Sequence, residues 1–132
     1  MQLSDAEAES VLAELDFSDR GLVVAITRDV DDGAVLMTAF MDREAVERTL
    51  TTGVVHYWSR SREALWRKGA TSGHEQHLRA AHIDCDGDAL LLDVEAGPAC
   101  HTGFRSCFHR RVDDGDVVTE GKPVFDPEAV YD

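Results

Sequence analysis

Lysine is nearly missing from this chain: only Lys68 and Lys122 occur among 132 residues, and arginine makes up the rest of the 13 basic side chains. Against them stand 26 acidic residues, for a formal net charge of -13. Such a field repels nucleic acid and anionic membranes, so neither is expected as a partner. No apolar run approaches the roughly 20 residues of a membrane span, and no charged n-region precedes an apolar stretch. A soluble, cytoplasmic protein is the expectation. Cysteine is also scarce, with three residues that cannot all pair. In a reducing compartment thiols bind metals or react rather than form bridges.

The length suits a single domain over residues 1–132. "SDAEAESVLAELDF" carries a Ser4-x-x-Glu7 capping box and apolar residues at Ala8, Val11, Leu12 and Leu15, which predicts an amphipathic helix. "LVVAITRDVDDGAVLMTAFM" reads as two strands around an Asp31-Asp32-Gly33 turn. A second helix follows, capped by Asp42 and ended by Gly53. From Val54 onward "VVHYWS", "EQHLRAAHIDC" and "ALLLDVEA" are strand-like. The expected fold class is α+β, β-dominated with two short helices. Residues 112–132 contain two prolines and no clear period, and are expected to form an extended tail.

The segment "HIDCDGDALLLDVEAGPACHTGFRSC", from His82 to Cys107, holds every cysteine. Cys85, Cys100 and Cys107 do not form the C-x2-C knuckle of a closed structural zinc site. Three thiolates with an open position would suit zinc holding a reactive water; buried cysteines, or a nucleophilic thiol beside His101, are the alternatives on spacing alone. If "DCDGD" is extended, Asp84, Asp86 and Asp88 project to one side and Cys85 to the other, so one strand could serve a hard cation such as Mg²⁺ and a softer Zn²⁺. A solvated acidic turn is the plain alternative. An EF-hand loop is disfavoured, because Ala89 occupies the position that needs glycine and the flank is strand-like.

"HYWSRSREALWRKGATSGH" gathers Arg60, Arg62, Arg67 and Lys68 with Tyr57, Trp58 and Trp66, against Glu63 as the one acid. A cationic patch in so anionic a protein invites an anionic ligand, and arginine's fork suits phosphate. The same alternation would also arise from a strand whose outer face is basic and whose aromatics fill the core. The stretch is not a P-loop, since no lysine follows Gly73.

Together, "HYWSRSREALWRKGATSGH", "DCDGDALLLDVEAGPACHTG" and "RSCF", with "LMTAFMDREAVERTL" upstream, closely resemble the phosphoribosyl-AMP cyclohydrolases of histidine biosynthesis, over roughly residues 21–111. That resemblance implies hydrolytic opening of the purine ring between N1 and C6, giving the formimino-carboxamide ribonucleotide without loss of ammonia. It implies one Zn²⁺ per subunit on Cys85, Cys100 and Cys107, Mg²⁺ on Asp84, Asp86 and Asp88, and an intertwined homodimer whose zinc site takes thiols from both subunits. Phosphoribosyl-AMP contacts are expected from Trp58, Arg60, Arg62, Lys68, Ser72 and His74. No pyrophosphohydrolase partner domain fits after Val112, so a single activity is expected.

Zinc lowers the pKa of a bound water, but three thiolates overcompensate its charge, so a nearby proton acceptor should help. His101 is the chosen base, later donating to N1, with His74 and His109 as weaker candidates. Alternatively, His101 only hydrogen-bonds the loop or a ligand sulfur. A zinc nucleobase deaminase is the nearest enzyme rival, but H-x-E and P-C-x-x-C are both missing. A non-catalytic metal-binding module leaves the cationic stretch without a purpose.

Sparse lysine beside abundant aspartate also suggests a surface adapted to high salt, where screening removes self-repulsion. The melting temperature is expected to rise from dilute buffer to molar KCl; an unchanged value would leave the chain an ordinary acidic protein.

Overall fold

The computed structural model describes residues 1–130. The chain opens with helix α1 (Asp5–Leu12), capped as the sequence predicts: Glu7 N–H donates to Ser4 Oγ at 3.2 Å, and Ser4 N–H donates to Glu7 Oε1 at 2.9 Å. Strands β1 (Val23–Asp29) and β2 (Val35–Met41) form the expected antiparallel hairpin, with Gly33 at φ 74 in its turn. Helix α2 (Arg43–Thr52) begins where Asp42 accepts from Ala45 N–H and ends at Gly53, which is left-handed.

Strands β3 (His56–Ser59), β4 (Ala64–Arg67), β5 (Gln76–Ile83) and β6 (Ala89–Ala96) complete a six-stranded sheet in the order β4-β3-β2-β1-β6-β5. Neighbouring strands run antiparallel, except that β6 lies parallel to β1. The β-dominated α+β class therefore holds. Strand β4 was not foreseen: "ALWR" is too short to show a period and is defined by pairing, with Tyr57 opposite Trp66.

Alternation selects the core. Val23, Ala25 and Thr27 of β1 and Leu90, Leu92 and Val94 of β6 are buried, and the apolar sides of the helices (Ala8, Leu12, Ala45, Val46, Leu50) join the same cluster. The opposite side of these strands is half-buried and carries Arg28 and Asp93; ion pairs with Arg28, which contributes most, and with the exposed His82 of β5 hold the Asp93 carboxyl below the usual carboxylate range.

Residues 112–130 do not form a plain extended tail. Strands β7 (Arg110–Asp113) and β8 (Asp116–Thr119) make a second hairpin, and α3 (Pro127–Val130) adds a third, four-residue helix. The loop residues Asp114 and Gly115 both have positive φ, the geometry that favours Asp-Gly in a two-residue hairpin turn. Beyond the hairpin, Val124 N–H donates to Gly103 O at 2.8 Å, which fastens this segment to the loop between β6 and β7.

Within the core, Tyr57 is fully buried and its hydroxyl donates to Gln76 Oε1 at 2.6 Å. Tyr57→Phe leaves that carbonyl oxygen buried without its partner, at a cost of about 1–3 kcal/mol. Urea denaturation at fixed protein concentration checks this; a loss below a few tenths of a kcal/mol would mean that another donor takes over.

Candidate active site

The acidic residues lie in the connection from β5 to β6, which is a tight turn rather than the extended segment expected from alternation. Gly87 has φ 75, and a Cβ there would lie 2.7 Å from Glu14 O, so the turn needs glycine on two counts. Asp84 Oδ1 accepts from the backbone N–H groups of Asp88 and Ala89 at 3.0 and 3.2 Å. Folding back in this way, rather than strand alternation, brings one carboxylate oxygen of each of Asp84, Asp86 and Asp88 within 4.8 Å of the others.

The three aspartates are exposed, and Asp84 and Asp88 act on each other's proton affinity. Desolvation pushes Asp84 up, but backbone donors and the Asp88 carboxyl outweigh it and leave Asp84 below the usual range. Asp88 is raised, mainly by its hydrogen bond with Asp84 and by the charge of that carboxylate. A hard divalent cation held by such a cluster would offset the repulsion between its carboxylates.

Cys100 and Cys107 sit at the other end of the sheet. Their loop is closed by Ala99 N–H to Arg105 O at 2.8 Å and by Cys100 N–H to Phe104 O at 3.2 Å. Arg105 staples it to the β1–β2 hairpin through Asp29 (3.1 Å) and Asp32 (2.9 Å), and Cys107 N–H donates to Leu36 O at the start of β2. Gly103 is required here, since a Cβ would meet Phe125 O at 2.6 Å.

Cys100 is buried, with its sulfur 2.8 Å from Thr102 Oγ1. Cys107 is exposed as a residue, yet its sulfur faces Cys100; desolvation and the neighbouring thiol push it up to about 11. Nearby Lys68 acts in the opposite sense on Cys107, and burial lowers the affinity of Lys68 for its own proton. Two facing sulfurs are a donor set that could hold a thiophilic cation.

Cys85 stands apart from this pair. It belongs to the acidic turn, where its sulfur is 3.4 Å from Asp86 Oδ1. The eight residues of β6 separate that turn from the loop bearing Cys100, and at about 3.3 Å per residue they span roughly 25 Å. Among the described residues, the three thiols of one chain therefore do not converge.

A cavity of about 550 Å³ opens beside Cys107 and is lined by Lys68, Ser72, His101, Arg62 and Trp66, among others. Of the residues expected to hold substrate, Arg62, Lys68 and Ser72 face this cavity. Trp58 and Arg60 line a shallower neighbour that shares Arg62 and Trp66, and Arg60 lies over the Phe40 ring at 4.1 Å. His74 lies elsewhere, edge-on to Phe125 at 4.7 Å, with its Nδ1 buried and unpaired. His101 is exposed at the cavity wall, whereas His109 is stacked on Phe104 at 3.9 Å.

Sequence reasoning missed the contributions of Met37, Thr38 and Ala39 and of the Gly69–Thr71 turn. A Cβ on Gly69 would lie 2.5 Å from Glu75 N, so "KGATSG" carried a signal in its first glycine.

A family model described as Phosphoribosyl-AMP cyclohydrolase matches residues 37–109, which include the acidic turn, both loop cysteines, His101 and Lys68. The phosphoribosyl-AMP cyclohydrolase of Salinibacter ruber is 52% identical over 126 residues, covering 95% of this chain and 99% of that protein. Those of Nitratidesulfovibrio vulgaris (strain DP4) and Natronomonas pharaonis are 58% identical over 113 residues and 52% identical over 120, covering 84% and 90% of this chain and 90% and 98% of those proteins. The similarity thus extends beyond residues 21–111. These matches place the chain among the hydrolases. It belongs to the phosphoribosyl-AMP cyclohydrolase family.

The three carboxylates form a cluster of their own without a thiol, so a cation held by them would be separable from one held by sulfur. Asp86→Asn should raise the Mg²⁺ concentration needed for half-maximal activity several-fold while zinc per chain, read by elemental analysis, stays at the wild-type level. Loss of zinc in this variant would mean that the turn and the thiol pair act as one site.

Proposed function

We propose that this protein hydrolyses phosphoribosyl-AMP, adding water across the N1–C6 bond of the purine as a step of histidine biosynthesis. The new oxygen stays on C6, the exocyclic amine is retained as carboxamide nitrogen, N1 takes a proton, and no ammonia leaves. The observation that carries this reading is the cavity itself, where Cys107 of the facing thiol pair, His101, three basic side chains and three hydroxyls meet in a chain of this family.

Cys100 and Cys107, with Cys85, would hold Zn²⁺, and Asp84, Asp86 and Asp88 would hold Mg²⁺. When bound, zinc supplies Lewis acidity that makes water a competent nucleophile near neutral pH. The rest falls to the chain's own groups. His101, free at the cavity wall, accepts a proton from water and returns it to N1. Arg62 and Ser72 bind a phosphate of the substrate, and Arg60 and Trp58 extend that surface into the adjoining hollow. Trp66, between the two hollows, offers a face on which the purine stacks.

The distance between Cys85 and the other two thiols supports a homodimer in which Cys85 of one subunit completes the pair of the other. Each chain then carries two half-sites, and the aspartates arrive at the partner's cavity with Cys85. Val24, Ile26 and Leu91 on the half-buried side of β1 and β6, and the exposed Val112 and Val117 of the second hairpin, are apolar residues available to such a partner.

Purified protein with phosphoribosyl-AMP, Zn²⁺ and Mg²⁺ should change the purine absorbance without releasing ammonia, and a chelator should stop it. Ammonia release would indicate a deaminase, and no reaction a binding module. Sharing of thiols is tested by mixing Cys85→Ser and Cys100→Ser proteins after subunit exchange. Each is inactive alone, and the mixture should recover about a quarter of wild-type activity, because half the dimers then contain one intact site of two. Sites built within one chain would give no recovery.

A further inference from the structure

Lys68 is the most unusual group beside the thiol pair. It is one of two lysines in the chain and is only 6% exposed. A buried ammonium is unfavourable unless its surroundings offset the lost hydration. Among the described residues no carboxylate forms an ion pair with it.

Its Nζ instead donates to Ala99 O at 2.6 Å, the carbonyl of the peptide that leads into Cys100. The other charged or chargeable neighbours acting on it are the sulfurs of Cys107 and Cys100. The stem is fixed as well: Lys68 N–H donates to Val55 O at 3.0 Å, and Gly69 packs directly against the Glu75 backbone. Lys68 lines the cavity, but its amine is engaged by the loop backbone beside the two sulfurs and is well placed to act on whatever they hold.

We propose that Lys68 is a positioning residue for the metal held by Cys100 and Cys107: it pins the start of their loop through Ala99 O and offsets the excess negative charge that three thiolates leave on a divalent ion. The inference rests on the metal-dependent reading above. It removes Lys68 from the phosphate-binding set and gives the buried charge its counterpart, because Zn²⁺ with three thiolates carries a net charge of about -1 by the ligand types involved.

The test uses the full-length protein as wild type, Lys68→Met and Lys68→Gln. Zinc affinity is measured by competition with a chromophoric chelator, together with the melting temperature of the metal-free proteins and KM at saturating zinc. Both variants should bind zinc about tenfold more weakly or worse, the range seen when a group supporting metal ligands is removed. Metal-free Lys68→Met should melt no lower than wild type, because an apolar side chain of similar length replaces a buried charge. KM should move less than twofold.

Zinc affinity within twofold of wild type in both variants would overturn the inference. So would unchanged zinc affinity with a tenfold higher KM, which would make Lys68 a phosphate ligand. A metal-free melting temperature that falls in step with zinc affinity in both variants would reduce it to a structural peg. Wild-type protein that takes up no zinc overturns the metal-dependent reading along with this one, whereas zinc-binding wild type with unchanged variants overturns this one alone.

Discussion

Strand β6 sets the spacing on which the rest of the molecule depends. Hydrogen-bonded to β1 on one side and β5 on the other, it is held in a single register by buried Leu90, Leu92 and Val94, and slipping by one residue would turn all three out of the core. The acidic turn is attached to its start and the Cys100 loop follows its end. A rigid strand therefore keeps the acidic turn with Cys85 apart from Cys100 and Cys107, although all of them lie close together in sequence.

The two ends are built by different physics. At the turn, backbone N–H groups gather three exposed carboxylates, a donor set of the kind that suits a hard cation. At the loop, desolvated sulfurs and a buried ammonium make a softer and drier environment, closed by Arg105 on one flank and by residues 123–127 against Gly103 on the other. The two donor sets differ in kind, hard oxygen at one end and soft sulfur at the other.

Local signals were the legible part of the sequence. The Ser4–Glu7 capping box, Asp42 and Gly53 at the ends of α2, and the first Asp-Asp-Gly turn each depend on a few adjacent residues, and each was read correctly. The same tripeptide closes the second hairpin at Asp113–Gly115, but there it sits between short exposed strands with no buried alternation to announce them. Strand β4 and the folded-back "DCDGD" were hidden for another reason, since pairing partners and the contact of Gly87 with the Glu14 carbonyl come from distant residues. Motif resemblance brought the metal-binding residue types together, while the distance between Cys85 and the other thiols became visible only with the topology.

Lysine scarcity and the burial of Lys68 together have a practical side. Lys122 is exposed, Lys68 is enclosed, and the amino terminus of Met1 donates to Leu78 O at 2.7 Å in a partly buried position. Amine-directed reagents thus meet one well-exposed primary amine among the described residues. It follows β8, beside the hollow formed by Phe104, Phe108 and Glu120. A dye or surface tether coupled through amine chemistry would attach there, giving a molecule of uniform orientation in which the ammonium beside the thiol pair stays unmodified.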